Sequence, residues 1–80
     1  MSGPLNLSEL AVGASATVTS FSETGPITVR LREMGVLPGT KITLVRIAPL
    51  GDPMEFKVRG YNLSLRRKDA AMVLVEAEGK

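Results

Sequence analysis

Residues 40–59 read TKITLVRIAPLGDPMEFKVR. Two segments with the residue types of β-strands flank a short loop, residues 49–53, which has a proline at each end. A proline has no backbone N–H to donate to a central sheet ladder, so the two prolines favour a reversal of the chain. The stretch therefore predicts two strands joined by a tight loop.

The two predicted strands differ in their burial. The first has apolar side chains on both faces, with Ile42 and Leu44 on one face and Val45 and Ile47 on the other. Such a pattern indicates a central or strongly curved strand. In the second, residues 54–59, apolar and charged residues alternate, which indicates one buried and one solvated face.

The rest of the chain predicts three more strands. Residues 16–21 are rich in β-branched residues, residues 63–65 form a short strand after a turn at 60–62, and residues 72–75 form an apolar last strand. Residues 66–71 are expected to form a helical turn between the last two.

A helix is predicted between Gly25 and Gly35. Pro26 suits its first position, where the missing N–H costs nothing. Three apolar residues share one face: Ile27, Leu31 and Met34. Thr28 is expected on the outward face, and Gly35 is expected to end the helix in a left-handed conformation.

Near the start of the chain, the pattern predicts a brief turn capped by Ser8. Leu7, Leu10 and Val12 are expected to fill one end of the core.

Five short strands with one inserted helix favour a small closed barrel, because closure removes exposed sheet edges. SH3-like, OB-like and ferredoxin-like folds compete. The last needs a second helix, and an OB barrel places its helix later in the chain. We therefore expect a mainly β chain, a small SH3-like five-stranded barrel with one short inserted helix, as a single domain over residues 1–80.

Composition argues against enzyme chemistry. The chain has neither histidine nor cysteine, so the commonest general base and the thiolate nucleophile are both missing. The carboxylates are scattered, and no phosphate-binding loop precedes a helix. We expect no catalytic residue, no cofactor and no metal site.

No segment is long and apolar enough to span a membrane. The longest apolar run, residues 70–75, has six residues, against the roughly 20 that a spanning helix needs. A cytoplasmic protein without direct membrane insertion is expected.

The net charge of +2 is unevenly distributed. Residues 30–68 contain nine basic and three acidic residues, a net charge of +6. A basic region favours an acidic protein or nucleic acid as partner, although a merely solvated face has the same composition. Only Phe21, Phe56 and Tyr61 are aromatic, which is few for a protein that stacks bases, and no nucleic acid is expected.

Several segments, taken together, carry a family resemblance. LREMGVLPG at residues 31–39 resembles the signature L-x-x-(L/M)-G-(I/L/V)-x-P-G of the FeoA family, and APLGDP at residues 48–53 resembles that family's hairpin. Residues 7–13 and 63–75 are similar to its opening and closing segments. The resemblance covers almost the whole chain.

The resemblance implies an SH3-like barrel that acts as a small cytosolic accessory protein of bacterial ferrous-iron uptake. The implied partner is FeoB, a membrane permease with a cytosolic GTP-binding domain. The accessory protein would assemble the permease or regulate its nucleotide cycle, through contact with the G domain or the membrane part. Two alternatives stay open: a stand-alone SH3-like module of an iron-dependent regulator, and a basic nucleic-acid-binding barrel.

The hairpin tip and the basic turn are the regions that core packing explains least. The predicted partner-binding residues are Arg46, Leu50, Asp52, Tyr61, Arg66 and Arg67. For Leu50 a second interpretation competes, namely a lid folded over the end of the barrel.

Overall fold

A computed structural model describes residues 5–77, which form six strands and three short helices. The strands are β1 (Leu5–Asn6), β2 (Ser15–Phe21), β3 (Lys41–Ile47), β4 (Met54–Val58), β5 (Tyr61–Leu65) and β6 (Val73–Ala77). The helices are a 3₁₀ helix (Leu7–Glu9), α1 (Pro26–Glu33) and α2 (Arg67–Ala70).

The six strands make one sheet in the order β1-β6-β2-β3-β4-β5, with every neighbouring pair antiparallel. The prediction of a mainly β fold is confirmed. The predicted strand count is wrong by one, because Leu5 and Asn6 pair with β6.

The prediction of full closure is also wrong. Within residues 5–77, β1 and β5 are the two edges of the sheet and do not pair with each other. The physical reason is that β1 has only two residues and β5 leads directly into α2. Helix α2 packs against the 3₁₀ helix and bridges the junction without a sheet ladder.

The sheet wraps around one hydrophobic core. The alternation predicted for residues 54–59 is confirmed in β4, where Met54, Phe56 and Val58 are fully buried. Burial of side chains of this size contributes about 1.5–3 kcal/mol each. The core includes Leu7, Ala16, Val18, Leu31, Val36, Ile42, Leu44, Leu63, Leu65, Ala70, Val73 and Val75.

Strand β3 departs from the predicted alternation at Val45. The pairing with β4 shifts between Leu44 and Arg46, which leaves Val45 as an extra residue. A bulge of this kind reverses the face of every residue that follows it. Ile47 therefore packs against the core, although strict alternation placed it on the same face as Val45.

The prediction of α1 is confirmed at both ends. It begins at Pro26, and Gly35 follows its end with φ +100°. The Gly35 N–H donates to the Arg32 carbonyl at 3.0 Å, and the Val36 N–H donates to the Leu31 carbonyl at 2.9 Å. These two bonds define a Schellman ending, which requires a residue that tolerates positive φ.

The outward position predicted for Thr28 is wrong, because its side chain is buried. Its hydroxyl donates to the Gly25 carbonyl at 2.9 Å and accepts from the Gly25 N–H at 3.0 Å. Since both hydrogen bonds are satisfied within the first turn, the hydroxyl can leave solvent at little cost.

The opening turn is capped by Asn6, two residues before the predicted Ser8. The Asn6 side chain accepts from the Ser8 N–H at 3.0 Å, and the Glu9 carboxylate accepts from the Asn6 N–H at 3.0 Å, which makes a capping box. Leu7 and Leu10 are buried as predicted, but Val12 is 59% exposed and does not fill the core.

The turn expected at residues 60–62 lies earlier, at Arg59 and Gly60. Both have positive φ, 51° and 94° respectively. Two consecutive residues of this kind form the tight hairpin connection that matches the twist of the flanking strands. Tyr61 and Asn62 consequently belong to β5 and pair with Val58 and Lys57.

Candidate functional site

The loop between β3 and β4, residues 48–53, projects from one end of the sheet. The Gly51 N–H donates to the Ala48 carbonyl at 2.7 Å, and the Ala48 N–H donates to the Pro53 carbonyl at 3.0 Å. Gly51 has φ +91°, and the peptide bond before Pro53 is cis. Leu50 at the tip is 96% exposed, so the interpretation of Leu50 as a lid over the barrel is wrong.

Arg67 ties this loop to the beginning of the chain. Its Nε donates to the Gly51 carbonyl at 3.2 Å, and its Nη1 donates to the Ser8 carbonyl at 3.2 Å. One guanidinium thus connects the hairpin loop, α2 and the 3₁₀ helix. We call residues 48–53 together with Arg66 and Arg67 the hairpin end.

Asp52 also has an internal partner at the hairpin end. Its carboxylate accepts from the Arg67 backbone N–H at 2.8 Å. Arg66, at the N-cap position of α2, offers no side-chain cap of its own, so Asp52 supplies that acceptor from across the loop.

The Arg66 side chain is exposed beside this contact. A shallow cavity of about 290 Å³ lies between Arg66, Asp52, Pro53 and Ser64. Within residues 5–77 the Arg66 side chain makes no hydrogen bond or ion pair. Leu50 and Arg66 are therefore the parts of the hairpin end that are open to a partner.

Arg46 lies at the base of the same hairpin, on the outer face of the sheet. Its Nε is 3.5 Å from the Glu55 carboxylate, which also accepts from the Asn62 side-chain amide at 2.9 Å. The Arg46 side chain is 67% exposed, so this ion pair is worth at most about 1 kcal/mol.

Tyr61 does not join the other predicted residues. It lies at the opposite end of β4 and β5, where its hydroxyl occupies the space in which a side chain at residue 35 would begin. The structure thus brings Leu50, Asp52, Arg66 and Arg67 together, places Arg46 beside them, and separates Tyr61 from the group.

The described residues hold no group of three or more carboxylates able to ligate a metal. Within residues 5–77 no helix is long and apolar enough to cross a membrane. The hairpin end offers an apolar tip, a guanidinium and a fixed loop backbone, which are groups suited to binding a partner.

A second surface, which was not predicted from the sequence, is a basic groove. Leu37, Lys41, Lys57 and Arg59 line a groove of about 560 Å³ at the end of β3 and β4 away from the hairpin loop. Its three cations were counted in the basic region, but Lys41 was not placed beside Lys57 and Arg59. The alternation of residues 54–59 already placed Lys57 and Arg59 on one solvated face, but only the pairing of β3 with β4 brings Leu37 and Lys41 beside them.

The chain is a small, mainly β domain, in which a bent antiparallel sheet surrounds one core and a short helix follows the first long strand. The FeoA domain model matches residues 5–77, and the chain belongs to the FeoA family. A region of the Fe(2+) transport protein A/Fe(2+) transporter FeoB fusion protein of Porphyromonas gingivalis is 43% identical over 72 residues. The match covers 90% of this chain and 8% of that much longer protein.

Solved structures give the same assignment. A FeoA-like protein from Clostridium acetobutylicum matches with a TM-score of 0.90 at 31% identity, over 100% of this chain and 93% of that chain. The zinc complex of Stenotrophomonas maltophilia FeoA matches with a TM-score of 0.80 at 33% identity, over 90% and 89% of the two chains. That protein is described as a prokaryotic SH3 domain protein and suggested as a ferrous iron transport activating factor. The SH3-like fold expected from the sequence is thereby confirmed.

Proposed function

We propose that this chain is a non-enzymatic accessory protein of ferrous-iron uptake that docks on a FeoB-type permease through its hairpin end. The observation that carries the proposal is the fusion of a region 43% identical to this chain with an Fe(2+) transporter FeoB in one polypeptide. A covalent fusion keeps each of two domains at a high effective concentration relative to the other, as is expected for two domains that bind each other. In this chain the module would be cytoplasmic and reach the inner membrane through its partner.

The form of the hairpin end supports its choice as the contact surface. Leu50 is a large apolar side chain that is 96% exposed. The loop that carries it is held by the Arg67 guanidinium and by backbone hydrogen bonds. A loop that is already ordered loses little entropy when it binds, so an apolar tip on it can act as an anchor.

The test compares two substitutions of exposed apolar residues. Leu50→Asp is expected to weaken binding to the full-length permease in nanodiscs by at least about tenfold, since interface anchors commonly contribute 2 kcal/mol or more. Val12→Asp is the matched control, because Val12 is 59% exposed and lies outside the hairpin end. Binding is measured by biolayer interferometry, and folding of both variants by circular dichroism.

Equal binding by Leu50→Asp and the wild type would remove the hairpin end from the interface. Absence of wild-type binding would overturn permease docking itself. GTP hydrolysis by the permease, measured with and without this chain, then separates regulation from assembly, because only regulation changes the rate.

The groove does not favour the nucleic-acid alternative. Of the three aromatic residues, Phe56 is buried in the core, Phe21 lies 5.5 Å below the Arg32 guanidinium, and Tyr61 covers Gly35. None of them lines the basic groove, so no aromatic surface is available there for stacking a base.

A further inference from the structure

The basic groove lies at the opposite end of the β3–β4 hairpin from Leu50. Its volume of about 560 Å³ lies within the range of roughly 300–1,000 Å³ that is usual for ligand sites. β3 begins at Lys41 beside the groove and ends at Ile47 beside the hairpin loop. The two surfaces are thus separated by roughly 20 Å of extended strand, so both can be occupied at once.

Among residues 5–77, the charged residues that line the groove are all cations, namely Lys41, Lys57 and Arg59. The side chains of Lys57 and Arg59 form no hydrogen bond or ion pair with any residue in the described range 5–77. The acid next to them on β4, Glu55, is already engaged by Arg46 and Asn62. Glu55 therefore does not neutralise the positive charge of Lys57 and Arg59.

The backbone at Arg59 gives an independent indication. Arg59 has φ +51°, and no other non-glycine residue among those described has a positive φ. A left-handed conformation is unfavourable for a residue with a side chain, and asparagine, aspartate or glycine is the usual choice in such a turn. Arginine here carries that cost and places its guanidinium at the groove without an internal partner. Strained residues of this kind occur preferentially at functional sites.

The other residues of the groove narrow the chemistry of the ligand. Leu37 is 38% exposed and Pro38 lies beside it, so part of the surface is apolar. No aromatic residue lines the groove, so a nucleobase would have no surface to stack on. A ligand that matches both the basic and the apolar part of the groove combines carboxylates with an aliphatic side chain.

We propose that this groove binds an acidic peptide segment of a partner protein, with carboxylates on Lys57 and Arg59 and an aliphatic side chain on Leu37 and Pro38. The site is distinct from the hairpin end and does not depend on permease docking there. Arginine and lysine bind carboxylates through charge-assisted hydrogen bonds, which gives such a groove selectivity for acidic sequences.

The probe is the peptide acetyl-Asp-Asp-Leu-Glu-Glu-amide, titrated into the ¹⁵N-labelled full chain. We expect backbone amide shifts concentrated at residues 37, 39–41 and 57–60. Lys57→Gln and Arg59→Gln should each weaken binding by about fivefold to tenfold, since each removes one charge-assisted contact. Arg30→Gln is the matched control, because it removes the same charge from an exposed site on α1, and it should leave the affinity unchanged.

Two further ligands test the chemical class. The peptide with asparagine and glutamine in place of its acids should not bind, and the peptide with serine in place of leucine should bind more weakly. The proposal is overturned if the groove amides do not shift, or if Arg30→Gln weakens binding as much as Arg59→Gln. Tighter binding of inorganic pyrophosphate or a single-stranded oligonucleotide in the groove would also overturn it, because the site would then be one for phosphates.

Discussion

The two ends of the β3–β4 hairpin use their charged residues in different ways. At the hairpin end, the Arg67 guanidinium and the Asp52 carboxylate are occupied by internal hydrogen bonds. At the groove, the side chains of Lys57 and Arg59 have no partner within residues 5–77, and Arg59 occupies a costly backbone conformation. The charged side chains of Asp52 and Arg67 order the first end, whereas those of Lys57 and Arg59 at the second end are open to solvent.

This difference shows that the role of a charged residue in a loop, whether it holds the loop or binds a partner, cannot be assigned until its hydrogen-bond partners are known. Asp52 and Arg67 look like contact residues in the sequence, but they hold the loop on which Leu50 stands. In the proposed contacts, the groups open to a partner are Leu50 and Arg66 at the hairpin end, and Lys57 and Arg59 at the groove. The two ends should consequently respond differently to substitution.

The largest effect is expected at Gly35, which precedes the groove residue Leu37 by two positions. Gly35→Ala should lower the free energy of unfolding by about 3 kcal/mol, because Ala disfavours positive φ and its Cβ would meet the Tyr61 hydroxyl. Urea denaturation measures the change.

Tyr61→Phe provides the control for this experiment. It removes the hydroxyl but leaves the ring, so Gly35→Ala should then cost only the backbone part, about 1–2 kcal/mol. A cost for Gly35→Ala that does not change in the Tyr61→Phe background would show that contact with the Tyr61 hydroxyl adds nothing to it.

An intermediate effect is expected at Arg67. Arg67→Ala removes the bonds to the Gly51 and Ser8 carbonyls and should destabilise the fold by about 1–2 kcal/mol. Arg66→Ala is the matched control, and it should change stability by less than about 0.5 kcal/mol, as is usual for a surface position. Thermal denaturation gives both values, and faster amide exchange at Gly51 should accompany only the first. Equal losses of stability in the two variants would contradict the interpretation that Arg67 holds the loop while the Arg66 side chain is only exposed to solvent.

Much of the fold could be predicted from the sequence, because its signals are local. Pro26 and Gly35 mark the ends of α1, and the alternation around Phe56 marks the buried face of β4. The errors arose where one residue changes the geometry of those after it. The bulge at Val45 reverses the face of Ile47, and no composition signal announces such an extra residue.

The candidate site was harder to predict, for a different physical reason. The loop bracketed by prolines was recognisable, but its sequence left open whether Leu50 is an exposed tip or a lid, and the folded loop decides for the tip. The structural role of Arg67 depends on its hydrogen bond to the carbonyl of Ser8, which lies 59 positions earlier in the chain. Only the fold brings these two residues together. The groove was missed because Leu37 and Lys41 reach Lys57 and Arg59 only through the pairing of β3 with β4.

The smallest and most discriminating effect is expected at Arg59. Asparagine tolerates the left-handed conformation better than arginine, so Arg59→Asn should raise the free energy of unfolding by about 0.5–1 kcal/mol. The same substitution removes a guanidinium from the groove and should weaken binding of the acidic peptide. Lys57→Gln, at a position with ordinary backbone geometry, should weaken peptide binding without stabilising the chain. Urea denaturation and the peptide titration, run on both variants, separate the two effects. If Arg59→Asn does not raise the free energy of unfolding, the left-handed conformation of Arg59 is not strained. If it raises the free energy of unfolding but leaves the peptide affinity unchanged, the Arg59 guanidinium does not contribute to binding in the groove.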